Sequence, residues 1–153
     1  MQALLLSVHV VFAILFVGPP AVAVSIFPRF VPAAAGVGSR PERAGERNLA
    51  VARVLHRLTR VYGLLALAVP VLGIALAIVQ HRMTEVWVLV AMVLTAAAGA
   101  LLALRIVPAQ RHVLARNATR AELSRMGMLG GIFNLLWVVV VVLMIVRPGA
   151  MTP

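Results

Sequence analysis

The chain has 153 residues, of which 63% are hydrophobic, and its mean hydropathy is +1.05. A soluble domain is only about 45–50% apolar, so this composition excludes an ordinary water-soluble fold and indicates a membrane domain. The chain contains no cysteine, which excludes disulfides, thiolate metal sites and c-type haem attachment, and its net charge of +10 comes from 14 arginines set against four glutamates.

Four apolar stretches are each long enough to cross the roughly 30 Å hydrocarbon layer, which takes about 20 helical residues. None alternates apolar and polar residues with a period of two, and a backbone in lipid must satisfy its own hydrogen bonds, so each stretch is predicted to be a helix. The sequence therefore predicts an all-α, polytopic bundle of four transmembrane helices, formed by one domain over residues 1–153. The predicted helices cover approximately residues 3–28, 55–79, 85–107 and 124–146.

The first helix contains Gly18-Pro19-Pro20, where two prolines remove amide donors and predict a kink. A segment rich in glycine, proline and alanine follows, and residues 31–48 are predicted to form a cytoplasmic loop. The chain then becomes helical, with Arg53, Arg57 and Arg60 on one side. This pattern is typical of an interfacial turn that continues into a membrane helix.

The remaining connections are short or polar. The loop of residues 80–85 joins the second and third helices into an antiparallel hairpin. After Pro108 the chain becomes polar, and a surface helix is predicted at the cytoplasmic interface. Thr119 is followed three residues later by Glu122, which is the spacing of a capping box. Thr119 is thus a candidate N-cap of the fourth helix.

The arginines are distributed very unevenly between the loops. Seven lie between residues 29 and 60 and five between residues 105 and 125, whereas Arg82 and Arg147 are the only two elsewhere. The positive-inside rule then places the first and third loops in the cytoplasm and both termini outside. Contact with the anionic headgroups of the lipid bilayer accounts for these charges, so no nucleic-acid partner is expected. The absence of lysine beside abundant arginine, alanine and valine is typical of a high-GC bacterial genome, which predicts a bacterial inner-membrane location.

Pairs of small residues spaced four apart occur on the second, third and fourth predicted helices. In lipid, close backbone approach through small residues drives helix association. Such pairs can pack the bundle internally, or they can join a homo-oligomer or a larger membrane complex, and the sequence does not separate these uses. The pairs are Gly73/Ala77, Ala96/Ala100, Gly99/Ala103 and Gly127/Gly131.

Few polar residues lie deep in the predicted membrane region. No carboxylate lies at mid-membrane, which disfavours a proton-coupled transporter. No Ser/His/Asp set and no phosphate-binding glycine loop is present, so ordinary hydrolase chemistry is not expected. The deeper polar residues are His9, Thr95 and Asn134, and Asn134 has a purely structural alternative as a hydrogen-bonding partner of another helix.

The predicted topology sorts the histidines by membrane face. His9 and His81 lie toward the outer face, and His56 and His112 toward the inner face. Neutral imidazole is a common ligand of haem iron, copper and zinc, and His9 with His81 is the candidate metal pair by depth. A buried imidazole is costly without a partner, so His9 is predicted to meet a carbonyl, Thr95 or a bound ligand.

Two parts of the chain, the first helix and the last residues, resemble known membrane proteins. The pattern His9-x6-Phe16-Val17-Gly18, with Phe12 and then Pro28-Arg29, resembles the first helix of a bacterial superfamily of four-helix membrane domains. That superfamily includes the copper-resistance protein D domain, the HemJ-type protoporphyrinogen oxidases and predicted integral membrane proteins of unknown function. The ending VVVVVLMIVRPG resembles the last helix of HemJ, which closes on Lys-Pro.

The resemblance implies that His9 is an axial ligand of haem b, with His56 as the second ligand by helix position and Arg29 and Asn134 as further cofactor-binding residues. Straight helices would place His9 and His56 near opposite faces, so His81 is the closer partner by depth. HemJ enzymes use a lysine and this chain has none, so protoporphyrinogen oxidase activity is not expected. The alternative function is a structural or assembly subunit of a larger membrane complex, without a ligand.

Overall fold

The computed structural model describes residues 2–32 and 48–149, so most of the predicted loop over residues 31–48 lies outside the described residues. Within the described part every regular element is a helix, and no strand occurs. A π-helical turn, Leu102–Ile106, joins two of the α-helices. The α-helices are α1 (Gln2–Phe30), α2 (Leu49–Leu65), α3 (Ala68–Val79), α4 (Val86–Leu101), α5 (Val107–Leu114) and α6 (Arg120–Val146).

These elements form four helical stretches that are long and apolar enough to cross a membrane, as predicted for a multi-pass membrane protein. In the second stretch α2 continues into α3, and in the third α4 continues through the π-helical turn into α5. The four stretches cover Ala3–Phe30, Leu49–Val79, Val86–Leu114 and Arg120–Val146.

Helix α1 lies at the centre of the bundle, where it packs against α2 and α3 on one side and against α6 on the other. Helix α4 packs mainly against α6. Fully buried Phe27 and Val31 hold α1 against Ala52 and Leu55 of α2. A second cluster centred on Phe133 joins α1, α4 and α6. The loops after α1 and after α5 meet at one end of the bundle, where Ala118 N–H donates to the Pro32 carbonyl at 2.9 Å. We call this end the arginine-rich end.

The first two helical stretches differ in whether the helix continues through its prolines. Helix α1 continues as one helix of 29 residues through Pro19 and Pro20. The second stretch is interrupted at Ala66 and Leu67, just before Pro70. Pro70 has no N–H for the Ala66 carbonyl, which instead accepts from Val69 N–H at 3.1 Å, so the chain makes a tighter turn there.

The segment after Pro108, predicted as one surface helix, is divided in the structure between α5 and the start of α6. The third stretch instead continues to Leu114, and α6 already begins at Arg120. Pro108 lies in the first turn of α5 and cannot donate to the carbonyl one turn earlier. The wider π-helical turn at Leu102–Ile106 accommodates this missing donor without ending the helix. As a result, Gln110 lies inside the bundle rather than on its surface.

The end of the bundle opposite the arginine-rich end is held by contacts between α4 and α6. Arg147 ends α6 in a left-handed conformation (φ 47°), and its guanidinium lies 5.8 Å from the centre of the Trp87 ring. The Trp87 indole N–H donates to the Glu85 carboxylate, which also lies 3.7 Å from Arg82. These polar contacts fix the hairpin between α3 and α4 beside the end of α6.

The predicted capping box at the start of α6 is confirmed. Glu122 N–H donates to Thr119 Oγ1 at 3.3 Å, and Thr119 N–H donates to Glu122 Oε2 at 2.9 Å. Replacing Thr119 with alanine is expected to lower the free energy of unfolding by about 1 kcal/mol, because it leaves an N-terminal amide unpaired. Detergent-induced unfolding monitored by circular dichroism measures this loss. The exposed Thr84→Ala is the control, and equal effects of the two changes would contradict the capping role.

Candidate functional site

His9 is the most deeply buried ionisable side chain of the predicted site. Its side chain is only 5% exposed and lies between α1 and α3. A Cβ atom added to Gly73 would lie 3.1 Å from His9 Cε1 and 3.7 Å from Nδ1, so the imidazole occupies space that any larger residue would fill. The ring also interacts with the backbone of Val69, one helical turn from Gly73. The packing of His9 on α3 therefore depends on the missing side chain of Gly73.

The hydrogen bonding of the His9 ring is incomplete. Nδ1 is buried and has no hydrogen-bond partner among the described residues. An imidazole that uses one nitrogen against a backbone carbonyl leaves the other as an acceptor, whose burial costs less than that of an unpaired donor or charge. Thr95, a predicted partner, makes no hydrogen bond with His9 in the described part of the chain. Of the predicted partners, the carbonyl alternative is supported by the interaction of the ring with the Val69 backbone.

The other predicted ligands are not brought to His9. His56 precedes Gly73 by 17 residues on the same helical stretch, which corresponds to about 25 Å along the axis. His81 is exposed in the turn after α3, in a left-handed conformation (φ 54°), about 12 Å along the axis from Gly73. An axial separation of about 25 Å does not allow one iron atom to bind both His9 and His56 in this arrangement. No cluster of three histidine, cysteine or acidic side chains suited to a metal ion occurs among the described residues.

His56 belongs to a second, separate polar cluster near the arginine-rich end. Its Nδ1 lies 3.0 Å from Gln110 Oε1, and Gln110 Nε2 donates to Thr59 Oγ1 at 3.4 Å. Thr59 in turn donates to the Leu55 carbonyl at 2.9 Å. Gln110 and Thr59 are 1% and 0% exposed. This network joins α2 to α5 and satisfies polar atoms that would be costly to bury alone.

A small cavity adjoins Gln110. Its volume of about 10 Å³ suffices for at most a single water molecule, and it does not accommodate a cofactor. The cavity is lined by Val24, Ile106, Ala109, Gln110, Met126 and Leu129. The polar cluster around Gln110 is therefore interpreted as an internal packing feature of the bundle.

Replacing Gln110 with methionine is expected to lower the free energy of unfolding by about 1–3 kcal/mol, because His56 and Thr59 both lose a partner while the volume changes little. The midpoint of unfolding in mixed micelles measures the effect. Gln80→Met is the matched control, since the Gln80 side chain makes no hydrogen bond within the described residues. The account of this cluster fails if the two substitutions have the same effect.

The remaining cofactor-binding candidates lie in two different places. Asn134 Nδ2 donates to Ser25 Oγ at 2.7 Å, and Ser25 donates to the Ala21 carbonyl at 2.7 Å. This bond connects α6 to α1, which is the structural role predicted as the alternative for Asn134. Its Oδ1 and the Trp137 indole nitrogen are buried without hydrogen-bond partners in the described part of the chain. Arg29 is exposed in the last turn of α1.

The small residues divide into two groups, which the sequence did not separate. Gly73 and Gly130 face the interior, where a Cβ on Gly130 would lie 3.0 Å from Val24 Cγ1 and 3.4 Å from the Val24 carbonyl oxygen. Gly99, Gly127 and Gly131, in contrast, have no atom within 4 Å of the position that a Cβ would take. The first group packs the bundle, and the second faces outward.

The outward group continues along α6. Beyond Gly127 and Gly131, large apolar side chains at Leu135, Val138 and Val142 are 62%, 57% and 50% exposed. Their spacing of three or four residues places them on one side of the helix, continuous with the two glycines. We call Gly127, Gly131, Leu135, Val138 and Val142 the outward α6 face.

No family model, curated protein or solved structure matches the chain. The resemblance to HemJ and copper-resistance protein D stays a prediction drawn from the first helix and the last residues. The arrangement of this chain's own side chains is therefore the basis for assigning a function.

Proposed function

We propose that this protein is a non-enzymatic membrane subunit, which associates with another membrane-spanning segment through the outward α6 face. The single observation that carries this proposal is the open space beside Gly127 and Gly131. The arginine distribution supports a topology with both termini outside, and the composition without lysine supports a bacterial inner-membrane location. The partner is a second copy of the chain or a subunit of a larger membrane complex.

Glycine is an unfavourable residue on a helix surface that contacts only lipid. In a helix interior glycine is less favourable than alanine by about 1 kcal/mol, and a position that faces only acyl chains gains nothing from a missing side chain. Two glycines four residues apart form a shallow groove into which another helix backbone fits closely, and such contact drives association in lipid. The leucine and valines beyond Gly131 extend this groove into a packing surface.

Helix α4, the neighbour of α6, also exposes small residues. Helix α4, which packs against α6, exposes Ala96 and Ala100, and the π-helical turn that follows exposes Ala103. Gly99 on α4 also has open space at its Cβ position. Two adjacent helices of the bundle thus present small residues outward, which supports docking to a partner rather than contact with lipid alone.

Site-directed crosslinking tests the proposal cleanly, because the chain has no native cysteine. A cysteine at position 131 is expected to form crosslinked adducts in native membranes with a short thiol-directed photoreactive reagent. Position 71 is the control, since Val71 lies on α3 and is 65% exposed. The mass of the adduct distinguishes a second copy from a different partner. Equal or absent adducts at positions 131 and 71 would contradict the proposal.

A second candidate function is the binding of haem b or a metal through His9. The observation that favours it is the buried Nδ1 without a hydrogen-bond partner. The observed packing does not fit a bound haem, because Gly73 lies against the Cε1–Nδ1 side of the ring and α3 would have to move away.

Absorption spectra of the oxidised and dithionite-reduced protein, expressed with haem supply, test this second function. A Soret band that shifts on reduction and is lost in His9→Ala would establish a haem protein. The assembly-subunit proposal predicts no such band, together with metal analysis that finds no bound ion.

A further inference from the structure

We infer that the first three turns of α2 form a binding site for an anionic phospholipid in the leaflet at the arginine-rich end. Arg53, Arg57 and Arg60 are all exposed and follow one another at intervals of four and three residues. Such intervals place the three guanidinium groups along one side of the helix. We call these residues the arginine stripe. It lies on a different helix from the outward α6 face, so this inference is independent of the proposed function.

The amphipathic pattern of α2 explains why the stripe is turned outward. Ala52, Leu55 and Thr59 are the buried residues of the helix, and they pack toward α1 and α5. The arginines occupy the remaining side. The same helix thus uses one side to hold the bundle together and leaves the other, strongly basic side to its surroundings.

The positive charge of the stripe is not neutralised within the described part of the chain. Two glutamates lie in that part, and both are engaged elsewhere. Glu85 lies at the opposite end of the bundle, beside Arg82. Glu122 forms the capping box of α6 and an ion pair with Arg116. Three adjacent cations without an acidic partner among residues 2–32 and 48–149 favour an anionic ligand from outside the protein.

The depth of the stripe fits the headgroup region of a bilayer. Arg60 precedes Val79, the end of α3, by 19 residues, and Arg105 follows Val86, the start of α4, by 19 residues. Each interval corresponds to about 28 Å of helix, close to the thickness of the hydrocarbon layer. The second helical stretch therefore places the boundary of the hydrocarbon layer at Arg60, and the third places it at Arg105.

The two arginines also lie at one level in the bundle. A Cβ on Gly63 would touch the Leu102 side chain, and both arginines lie three residues from this contact, toward the arginine-rich end. The next contact in the same direction joins His56 to Gln110. The agreement between α2 and the π-helical turn supports the position of the boundary.

Beyond that boundary the stripe extends through the headgroup layer. The interval of seven residues between Arg53 and Arg60 corresponds to about 10 Å, which is similar to the depth of the polar region of one leaflet. Guanidinium groups bind phosphate oxygens through paired hydrogen bonds. An exposed arginine on the adjoining helix α5, Arg111, lies next to Gln110 and adds a further cation at this depth. The charge and depth together fit the phosphate of an anionic lipid.

Lipid retention measured by native mass spectrometry tests the inference on the full-length protein. The protein is equilibrated with equal amounts of phosphatidylglycerol and phosphatidylcholine before detergent removal. The wild type is expected to retain phosphatidylglycerol preferentially. The triple variant Arg53→Gln/Arg57→Gln/Arg60→Gln is expected to lose this preference by about tenfold or more. All three residues are exposed, so the variant is expected to fold, and circular dichroism is the check.

The matched control removes the same number of charges elsewhere. Arg29, Arg120 and Arg125 are also exposed, and their triple replacement by glutamine is expected to change the lipid preference by less than about twofold. An equal loss in both triple variants would show that net charge alone attracts lipid and would overturn the site. Unchanged retention in the α2 variant would overturn it as well. Displacement of the lipid by inorganic phosphate alone would instead identify a free-anion site and contradict the lipid assignment.

Discussion

Replacing Gly130 with leucine is expected to destabilise the bundle by about 2–3 kcal/mol. The reason is steric: a Cβ at this position would lie 3.0 Å from Val24 Cγ1 and 3.4 Å from the Val24 carbonyl oxygen. A side-chain methyl group can rotate away, whereas the backbone of α1 cannot move without disturbing the core around Phe27 and Phe133. Reversible unfolding in mixed detergent micelles measures the loss.

The adjacent residue provides the matched control. Gly131→Leu adds the same side chain to open space, so the free energy of unfolding is expected to change by no more than about 0.5 kcal/mol. The same variant is expected to abolish crosslinking from a cysteine at position 127, because the new side chain keeps the partner helix away. If Gly131→Leu unfolds the bundle as strongly as Gly130→Leu, the division into inward and outward glycines is wrong.

Replacing Gly73 with leucine has the second large expected effect, also about 2–3 kcal/mol of lost stability. The added side chain would collide with the His9 ring, whose Cε1 atom lies 3.1 Å from the Cβ position. Thermal or detergent unfolding of the purified protein measures it. Gly99→Leu is the control on the neighbouring helix, since Gly99 has open space at the same position.

The contact between His9 and Gly73 also predicts a non-additive pair. In the His9→Ala background the space occupied by imidazole is free, so Gly73→Leu is expected to cost at least about 1 kcal/mol less than it does in the wild type. A double-mutant cycle gives this coupling. Additive effects would show that the ring does not pack against Gly73, and would make His9 available for a ligand in the folded protein.

The four helices were predictable because the apolar stretches have the length that the bilayer requires. The start of α6 was predictable in detail, since Thr119 and Glu122 carry a local signal that needs no tertiary context. The end of the third stretch was not. Pro108 looked like a boundary, but the π-helical turn before it lets the helix continue, and that adjustment depends on packing rather than on a sequence pattern.

Gln110 was overlooked for the same reason. Once Pro108 was taken as the end of a membrane helix, a glutamine two residues later was assigned to a polar surface segment. In the structure it is only 1% exposed and joins His56 and Thr59 in one buried cluster. Gln110 follows Pro108 by two residues and lies within three turns of the apolar part of the helix. A polar residue in such a position is the sequence signal for a buried network.

The direction of the small residues could not be read from their spacing. Gly127 and Gly131 form the conspicuous pair, yet they face outward, and Gly130 between them makes the internal contact with α1. A four-residue interval states only that two residues share one side of a helix. Which side faces the bundle is decided by the larger neighbours. Here these are Met126, Phe133 and Val140, which are buried on the same helix as Gly130.

The central claim, that the outward α6 face binds a partner in the membrane, is tested most directly by a crosslinking scan along α6. A single cysteine is placed in turn at positions 127, 131, 132, 138 and 139, and adducts of the short thiol-directed photoreactive reagent are quantified in native membranes. High yields are expected at positions 127, 131 and 138, and low yields at 132 and 139, which are exposed roughly a quarter turn or more further around the helix. Equal yields at all five positions would mean that only random collisions in the lipid occur, and would contradict the account.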